Sequence, residues 1–360
     1  MGNIIITAGN AGFQIAKAIT ASTLLNDVTI YSIDSVIANV SLDTINRIHY
    51  KSILSDDKQG SGRSRTRGYE MYKFHEELGE FDDMYEAAAN AKSPVLVITS
   101  AAGGTGSGSS VPICKALIDR GIQVIPIIIC PNMADPDAYH LNTNDLMLEL
   151  DEIGVQTYCI FRNSRGDADY TPVNNEVVQL IEIIFGKRYD VTDLDSIDDS
   201  DLDVVLNTPG RFIAVSATAQ DVPTLKKELT RKVLSGYQPS WTPEESNNST
   251  FMTAYSLTAM FAKQDFKTVF EDVNNRIVNV YDEYRNICEK DNSGKMTATL
   301  IVAGLPRAEI KDIHSEYKES NTIGHGMNKS KRPAFLNRKK ASVTKPEAGD
   351  KNATAKFNWT

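Results

Sequence analysis

The sequence predicts an α/β protein: a mostly parallel sheet with helices on both faces, a connecting helix, a smaller α+β domain and a basic C-terminal tail. Three observations carry this prediction. Short apolar runs alternate with helical patterns over roughly the first 170 residues, as βα units do. Two of those runs pass directly into glycine-rich turns, at residues 9–12 and 103–108. Charge is segregated as well. The formal net charge is −9, yet residues 320–360 hold nine Lys or Arg against two Asp or Glu, so the body alone carries −16.

Taken in order, "NIIITA" (3–8), "DVTIYSI" (27–33), "PVLVIT" (94–99), "QVIPIIIC" (123–130) and "VQTYCIF" (155–161) read as strands. They are short, β-branched and almost unbroken in hydrophobicity, the pattern of strands buried on both faces. Between them "GFQIAKAITAST", "GYEMYKFHEELGEFDDMYEAAANA" and "DLMLELDEIG" space their apolar residues as helices do, and "VPICKALIDRG" follows the second glycine-rich turn as another helix. The first domain is assigned to residues 1–170. A helix over 171–186, "TPVNNEVVQLIEIIFG", carries Pro172 in its first turn, where a missing N–H costs nothing. It leads into the Asp-rich "YDVTDLDSIDDSDLDVV", and the connector spans 171–207. "RFIAVSAT", "TFMTAYSLT" and "ATLIVAGL" read as strands of a second domain over 208–305, with "VPTLKKELTRKVLSG" and "QDFKTVFEDVNNRIVNVYDEYRNICEK" as its helices. Residues 306–320 are assigned to a C-terminal helix. Residues 321–360 are polar and Lys-rich without lasting periodicity, and read as a flexible tail.

Composition narrows the class. Hydrophobic residues make up 41% of the chain and no apolar run approaches 20 residues, so a soluble, cytoplasmic protein without a membrane span or leader is expected. Cys114, Cys130, Cys159 and Cys288 are scattered through apolar segments without C-x-x-C spacing, and read as reduced core thiols rather than disulfides or metal ligands. No protein metal site is expected. An acidic body with a basic tail fits a tail that meets DNA, another protein or the body itself, or one that merely solubilises.

The stretch "SAAGGTGSGSS" (100–110) holds four Ser and four Gly between a buried strand and a helix. In that geometry backbone N–H groups and a helix N-terminus converge on an anion. The P-loop pattern fails, because no Lys follows the last glycine, so a phosphate here would be held by backbone amides. A Ser/Gly linker is the plainer alternative, but linkers seldom lie between a buried strand and a helix. The first strand enters a second such turn, "AGNAGFQIA", with G-x-x-G rather than the G-x-G-x-x-G of dinucleotide folds. Asp34 would be the ribose acid of that reading, which stays open as a nucleotide-dependent oxidoreductase. A third segment, "DDKQGSGRSRTRGYE" (56–70), adds Gly60, Gly62 and Gly68 with Arg63, Arg65 and Arg67, and would cover a terminal phosphate.

"GGTGSG" (103–108) resembles the signature of the tubulin and FtsZ family, and "GNAGFQIA" resembles its first loop, with Asn10 where that family often has Gln. "NTPGRF" and "IVAGLP" are similar to the TubZ branch of plasmids and phages, with the PhuZ phage tubulins as near neighbours; the resemblance covers about residues 1–305. It implies a tubulin/FtsZ-like fold with a GTP-binding domain. By that resemblance Gly9, Asn10, Ala11, Gly12 and Gln14, with Gly103, Gly104, Thr105, Gly106, Ser107 and Gly108, would hold the diphosphate of GTP or GDP, with Mg2+. Gly62 and Arg63, in the stretch to Gly68, would sense the γ-phosphate. Asn163 and Asn175 would read guanine, since an amide both accepts and donates on a purine edge. Asn174 competes with Asn175, and each Asn also fits a cap or a turn.

"DDSDLDVV" resembles the synergy loop of that family, which makes Asp198 and Asp201 the catalytic acids, one positioning water or Mg2+ and the other polarising the attacking water. Helix capping, or a Ca2+ site of Asp193, Asp195 and Asp199, is the alternative. Asn175 and Asp198 are 23 residues apart. If the connector is largely helical they stand on the order of 30 Å apart, so the acids would serve a neighbour's GTP in a head-to-tail filament. The sequence departs from the family pattern where "DVTDLDS" replaces a G-x-N ahead of the loop. The implied function is a polymerising GTPase of the bacterial host cytoplasm that moves or positions plasmid DNA, phage DNA or virions. Its partners would be further copies of itself and, through 321–360, a DNA-bound adaptor or phage cargo, with no membrane. A GTP-binding structural filament with little hydrolysis is the alternative.

Overall fold

The computed structural model describes residues 2–25, 27–35, 44–50, 60–132, 135–163, 169–186, 199–235, 238, 250–257, 263–274, 283–289 and 295–305. Six parallel strands make the first half of one sheet: β1 (Asn3–Ala8), β2 (Val28–Asp34), β3 (Ile45–His49), β4 (Val95–Ser100), β5 (Val124–Cys130) and β6 (Thr157–Arg162). Their order is β3-β2-β1-β4-β5-β6. The chain therefore winds outward from β1 in one direction and from β4 in the other. The gap between the carboxyl ends of those two strands is the switch point where open α/β sheets hold ligands.

Helices cover both faces, which is why β5 is buried at every position and its sequence is unbroken "VIPIIIC". On one face lie α1 (Gly9–Ile19), α6 (Thr171–Phe185) and α7 (Asp199–Asn207), whose Phe13, Val177, Ile181 and Leu202 pack with Ile5, Ile98 and Ile127. On the other lie α2 (Arg65–Glu77), α3 (Asp82–Ala89), α4 (Thr105–Asp119) and α5 (Asp137–Glu152), whose Met71, Tyr85, Val111 and Leu146 pack with Ile4 and Val97. Burying one such Leu or Ile side chain is worth ~1.5–3 kcal/mol. Cys114, Cys130 and Cys159 are free and buried in these layers, and burial pushes the Cys130 thiol up to about 12.

The second half continues the same sheet. β7 (Gly210–Ala219) joins β6 in parallel through Thr157↔Gly210 and Tyr158↔Arg211, then the two strands part. Gln238 occupies the gap. Its Oε1 accepts the Ala214 N–H at 3.0 Å, its Nε2 donates to the Ala214 carbonyl, and the Cys159 thiol donates to Oε1 at 3.4 Å. β10 (Met296–Leu305) runs antiparallel to both β7 and β8 (Thr250–Leu257), and β9 (Glu283–Glu289) lies parallel to β8 at the edge. α8 (Val222–Ser235) and α9 (Lys263–Asn274) pack Leu225, Leu229, Val269 and Phe270 against Ile213 and Leu300.

Four sequence expectations change. The helical pattern over 68–91 is two helices, broken at Gly79, which adopts φ +73° after the Leu78 cap. The second glycine-rich turn is shorter than expected, because α4 starts at Thr105 and Gly106 to Ser110 are already helical. Of the long helix read over 264–290, the described part up to Asn274 is helical, as α9. Tyr284, Ile287 and Cys288 have helical spacing, but that stretch forms β9, paired from Phe251↔Glu283 to Leu257↔Glu289, so sheet context overrides local pattern. The connecting helix stops at Phe185, and the ten residues from Asn175 to its end rise ~15 Å. The expected C-terminal helix (306–320), the tail (321–360), Cys288's side chain and Asp198 lie outside the described residues. Among the described residues no helix is long and apolar enough to cross a membrane.

Candidate functional site

β1 and β4 end side by side, with Ala8 opposite Thr99, and each delivers the chain to a helix on a different face of the sheet. Neither α1 nor α4 has a side-chain N-cap or an acid in its first turn, so their leading N–H groups face the switch point without a carboxylate. The two loops touch through backbone. Gly9 has φ +78°, and a Cβ there would lie 3.0 Å from the Gly106 nitrogen; a Cβ on Gly106 would lie 2.6 Å from the Ala8 carbonyl. A Cβ on Gly12 would crowd Thr7 and the Ile98 carbonyl. Ala11 is partly exposed on the same turn, and Asn10 Oδ1 accepts from Gln14 Nε2 at 3.3 Å.

Residues 61–64 form a tight turn against the signature loop. Ser64 N–H donates to the Ser61 carbonyl at 3.1 Å, and Gly62 (φ +59°) and Arg63 (φ +63°) both take left-handed backbone, as in a type I′ turn. A non-glycine residue held there marks local strain. The fit is close, since a Cβ on Gly104 would fall 2.3 Å from Ser61 Oγ, 2.5 Å from Ser64 N and 2.6 Å from Arg63 C. At Gly103 a Cβ would meet nothing within 4 Å. The signature side chains turn inward: Thr105 Oγ1 bonds Ser35 Oγ at 2.7 Å and Ser61 Oγ at 3.1 Å, and Ser107 Oγ donates to the Gly103 carbonyl. The face left open at Gly103 is backbone.

The three arginines of this segment separate. Arg65 does not cover the switch point; its guanidinium meets the Glu149 carboxylate at 2.5 and 3.3 Å and donates to the Ser107 carbonyl at 3.1 Å. Burial pushes the Glu149 carboxyl up, and the adjoining Arg65 charge opposes this. Arg63 is exposed and its guanidinium lies over the Tyr139 ring, 4.9 Å from the centroid. Arg67 is exposed, and its N–H donates to Ser64 Oγ at 3.4 Å, the N-cap of α2.

One turn into α1 from its glycine loop, a cleft of about 470 Å3 lies between α1 and α6, lined by Gln14, Lys17 and Ala18 from α1 with Asp169, Tyr170, Thr171, Asn174 and Asn175 at the start of α6. Gln14 and Asn175, 161 residues apart in sequence, are thus brought together. Asn174 lines the same cleft. Asn163 is buried after β6 with its N–H on the Cys130 carbonyl at 3.3 Å, and is not among the lining residues. Tyr170 and Lys17 were not singled out from sequence. Tyr170 is a half-exposed ring at the α6 N-cap, and an aromatic directly ahead of Thr-Pro at a helix start was the available signal. Asp34 is buried and accepts the Ser35 N–H at 2.7 Å.

Asp201 lies in the first turn of α7 and is not among the cleft residues. The end of α7 is fastened to the edge formed by the amino ends of the strands, opposite the glycine loops: Gln123, just before β5, donates to the Leu206 carbonyl at 3.5 Å, and Thr157, the first residue of β6, donates to the Thr208 carbonyl at 3.0 Å. The six residues of β6 separate that edge from Asn163 by ~20 Å.

No protein-family model matches the chain, and no curated protein matches it in sequence. Solved structures do match it in fold. TubZ of Clostridium botulinum phage c-st is 12% identical with a TM-score of 0.64, covering 88% of this chain and 97% of that one. CetZ2 from Haloferax volcanii, solved as a GTPγS-bound protofilament, is 18% identical with a TM-score of 0.70, covering 88% and 97%. An empty FtsZ dimer from M. jannaschii is 15% identical with a TM-score of 0.68, covering 87% and 91%. Together with the strand order and the signature loop packed at its switch point, these likenesses show that the chain has the tubulin/FtsZ fold.

Proposed function

We propose that the protein binds GTP at the switch point, polymerises head to tail and hydrolyses GTP between successive subunits. The observation that carries this is the meeting of two helix N-termini without side-chain caps at the carboxyl ends of β1 and β4, with a cleft lined by Gln14, Asn174, Asn175 and Tyr170 one turn along α1. The α- and β-phosphates sit on the N–H groups of residues 9–12 and 103–107, since the Gly108 N–H is donated to the Gly104 carbonyl. The base lies on the Tyr170 ring, and an Asn amide, that of Asn175 with Asn163 behind it, selects guanine over adenine. Among the described residues no group of three or more acidic, His or Cys side chains is placed to hold a metal ion. A Mg2+ ion would therefore be held largely by phosphate oxygens and water, its usual habit. Asp201, with Asp198, acts on the nucleotide of the next subunit, because α7 is anchored at the sheet edge opposite the glycine loops.

In this reading the filament moves or positions plasmid or phage DNA in the host cytoplasm, with the basic 321–360 tail meeting a DNA-bound adaptor. Phosphate release measured against protein concentration tests the core of it. Release per subunit should climb steeply above a threshold concentration with GTP and stay flat with ATP; a rate per subunit independent of concentration would refute completion of the site between subunits. "DVTDLDS" ahead of α7 favours a second reading, a GTP-binding filament with little hydrolysis. Sedimentation of polymer without phosphate release would select it.

A further inference from the structure

We propose that α5 is the positioning element of the site, and that Asn142 and Glu149 are the residues through which it lets the protein tell a nucleoside triphosphate from a diphosphate. The inference rests on the GTP reading above. It starts from the geometry of the cleft: the base end lies between α1 and α6 on one face of the sheet, while the 61–64 turn lies with α2, α4 and α5 on the other. A phosphate chain leaving the base end crosses the N-terminus of α1, then the open face at Gly103, and reaches the 61–64 turn last. The first two phosphates are met by helix N-termini fixed to the sheet. Only the third depends on where the turn stands.

The turn is held at Ser61 by Thr105 of α4, and at Arg63 and Arg65 from α5. Asn142 Nδ2 donates both to the Ala102 carbonyl at 2.9 Å, just ahead of Gly103, and to the Arg63 carbonyl at 3.2 Å, within the turn. One amide nitrogen with two hydrogens thus staples the two loops together. Glu149, two helical turns further on, holds Arg65 at the foot of the turn, and the same guanidinium reaches the Ser107 carbonyl in α4. Both partners of that pair are about nine-tenths buried, so removing either would leave a buried polar group without its partner. Tyr139 beneath the Arg63 guanidinium adds a third contact from the same helix. A left-handed Arg63 persists only where its surroundings hold it, and these α5 contacts are the restraint.

The test is the ratio of GTP to GDP affinity, measured by competition against a fluorescent GDP analogue in wild type, Asn142→Ala and Glu149→Gln, with thermal unfolding in the absence of nucleotide as the fold check. Loss of the turn's fixing should weaken GTP on the order of tenfold, the worth of one or two hydrogen bonds, and GDP by less than about twofold. Equal losses for both nucleotides, or no loss in a folded Asn142→Ala protein, would overturn the assignment. If Glu149→Gln does not fold, Asn142→Ala, at a half-buried position, decides the matter alone. A wild type that binds neither nucleotide overturns the GTP reading itself and this inference with it, and is told apart by the wild-type titration.

Discussion

Two neighbouring glycines should respond to the same methyl in opposite ways. At Gly104 an added Cβ would lie 2.3–2.6 Å from Ser61 Oγ, Ser64 N and Arg63 C, all of the 61–64 turn, and the last two are backbone that cannot swing aside. Ordinary contact needs ~1 Å more, so the turn must move away from α4. Overpacking of this kind costs ~1–3 kcal/mol, which for a domain of this size lowers Tm by roughly 3–10 °C. The φ of −83° at Gly104 suits alanine, so the cost is contact and not backbone conformation. At Gly103 the same methyl meets nothing within 4 Å and enters the open face where a phosphate would sit. Gly103→Ala should therefore unfold within about 1 °C of wild type yet lose GTP affinity, while Gly104→Ala should lose stability with or without nucleotide. Calorimetry without nucleotide and a GTP titration on both variants check this. A Gly104→Ala protein as stable as wild type would refute the packing argument, and a Gly103→Ala protein with full GTP affinity would remove the phosphate from that face.

Asn174→Ala and Asn175→Ala, made separately, should leave Tm unchanged, and the one that reads the base should lose guanine preference by about tenfold, roughly the ~1.4 kcal/mol of one good hydrogen bond; equal GTP and ATP affinities in wild type would dismiss both. Asp201→Ala should bind GTP and sediment as polymer but release little phosphate, and mixing it with a binding-defective Gly103 variant should restore part of the release, since the latter's acids meet the former's GTP. No restoration in mixtures shown to co-assemble counts against catalysis between subunits. Gln238→Leu leaves the Ala214 N–H and carbonyl buried without their amide partner, a loss of ~2–6 kcal/mol at ~1–3 kcal/mol per group. Urea unfolding should show it, and a change below 1 kcal/mol would mean that β6 and β7 close the gap themselves.

The parallel half of the sheet was legible because strands buried on both faces leave little choice: "PVLVIT" and "QVIPIIIC" have no polar face to show solvent. The edge was less so. β9 carries Glu283, Arg285, Asn286 and Glu289 with apolar residues at helical spacing, and only its ladder with β8 makes it a strand. At the site, local signals revealed the loops but not what holds them. Arg65 reads from sequence like Arg63 and Arg67, three cations in a glycine segment, and nothing local tells that Glu149, 84 residues on, takes one of them away. Asn142 was silent for the same reason. Gln14 and Asn175 could be paired only through the family resemblance, and the cleft they share is a product of α1 packing beside α6.

The spacing of the signature follows from what α4 touches. On a helix, residues 104 and 108 differ by four positions and share a face, while 106 points to the opposite side. The first face lies against α2, where a Cβ on Gly108 would fall 2.2 Å from the Arg65 carbonyl and one on Gly68 would fall 2.3 Å from the Gly104 carbonyl. The opposite face lies against the end of β1, at the Ala8 carbonyl. The first turn of α4 is therefore gripped backbone to backbone from both sides, and G-x-G-x-G is the pattern that such a grip demands. The intervening Thr105, Ser107 and Ser109 are left to satisfy buried oxygens, Ser109 Oγ donating to the Gly68 carbonyl at 3.2 Å. Of the four signature glycines, only at Gly103 would a Cβ meet nothing within 4 Å. Within the signature the proposed phosphate contact therefore rests on Gly103, and the other three glycines account for the close packing of the helix N-terminus behind it.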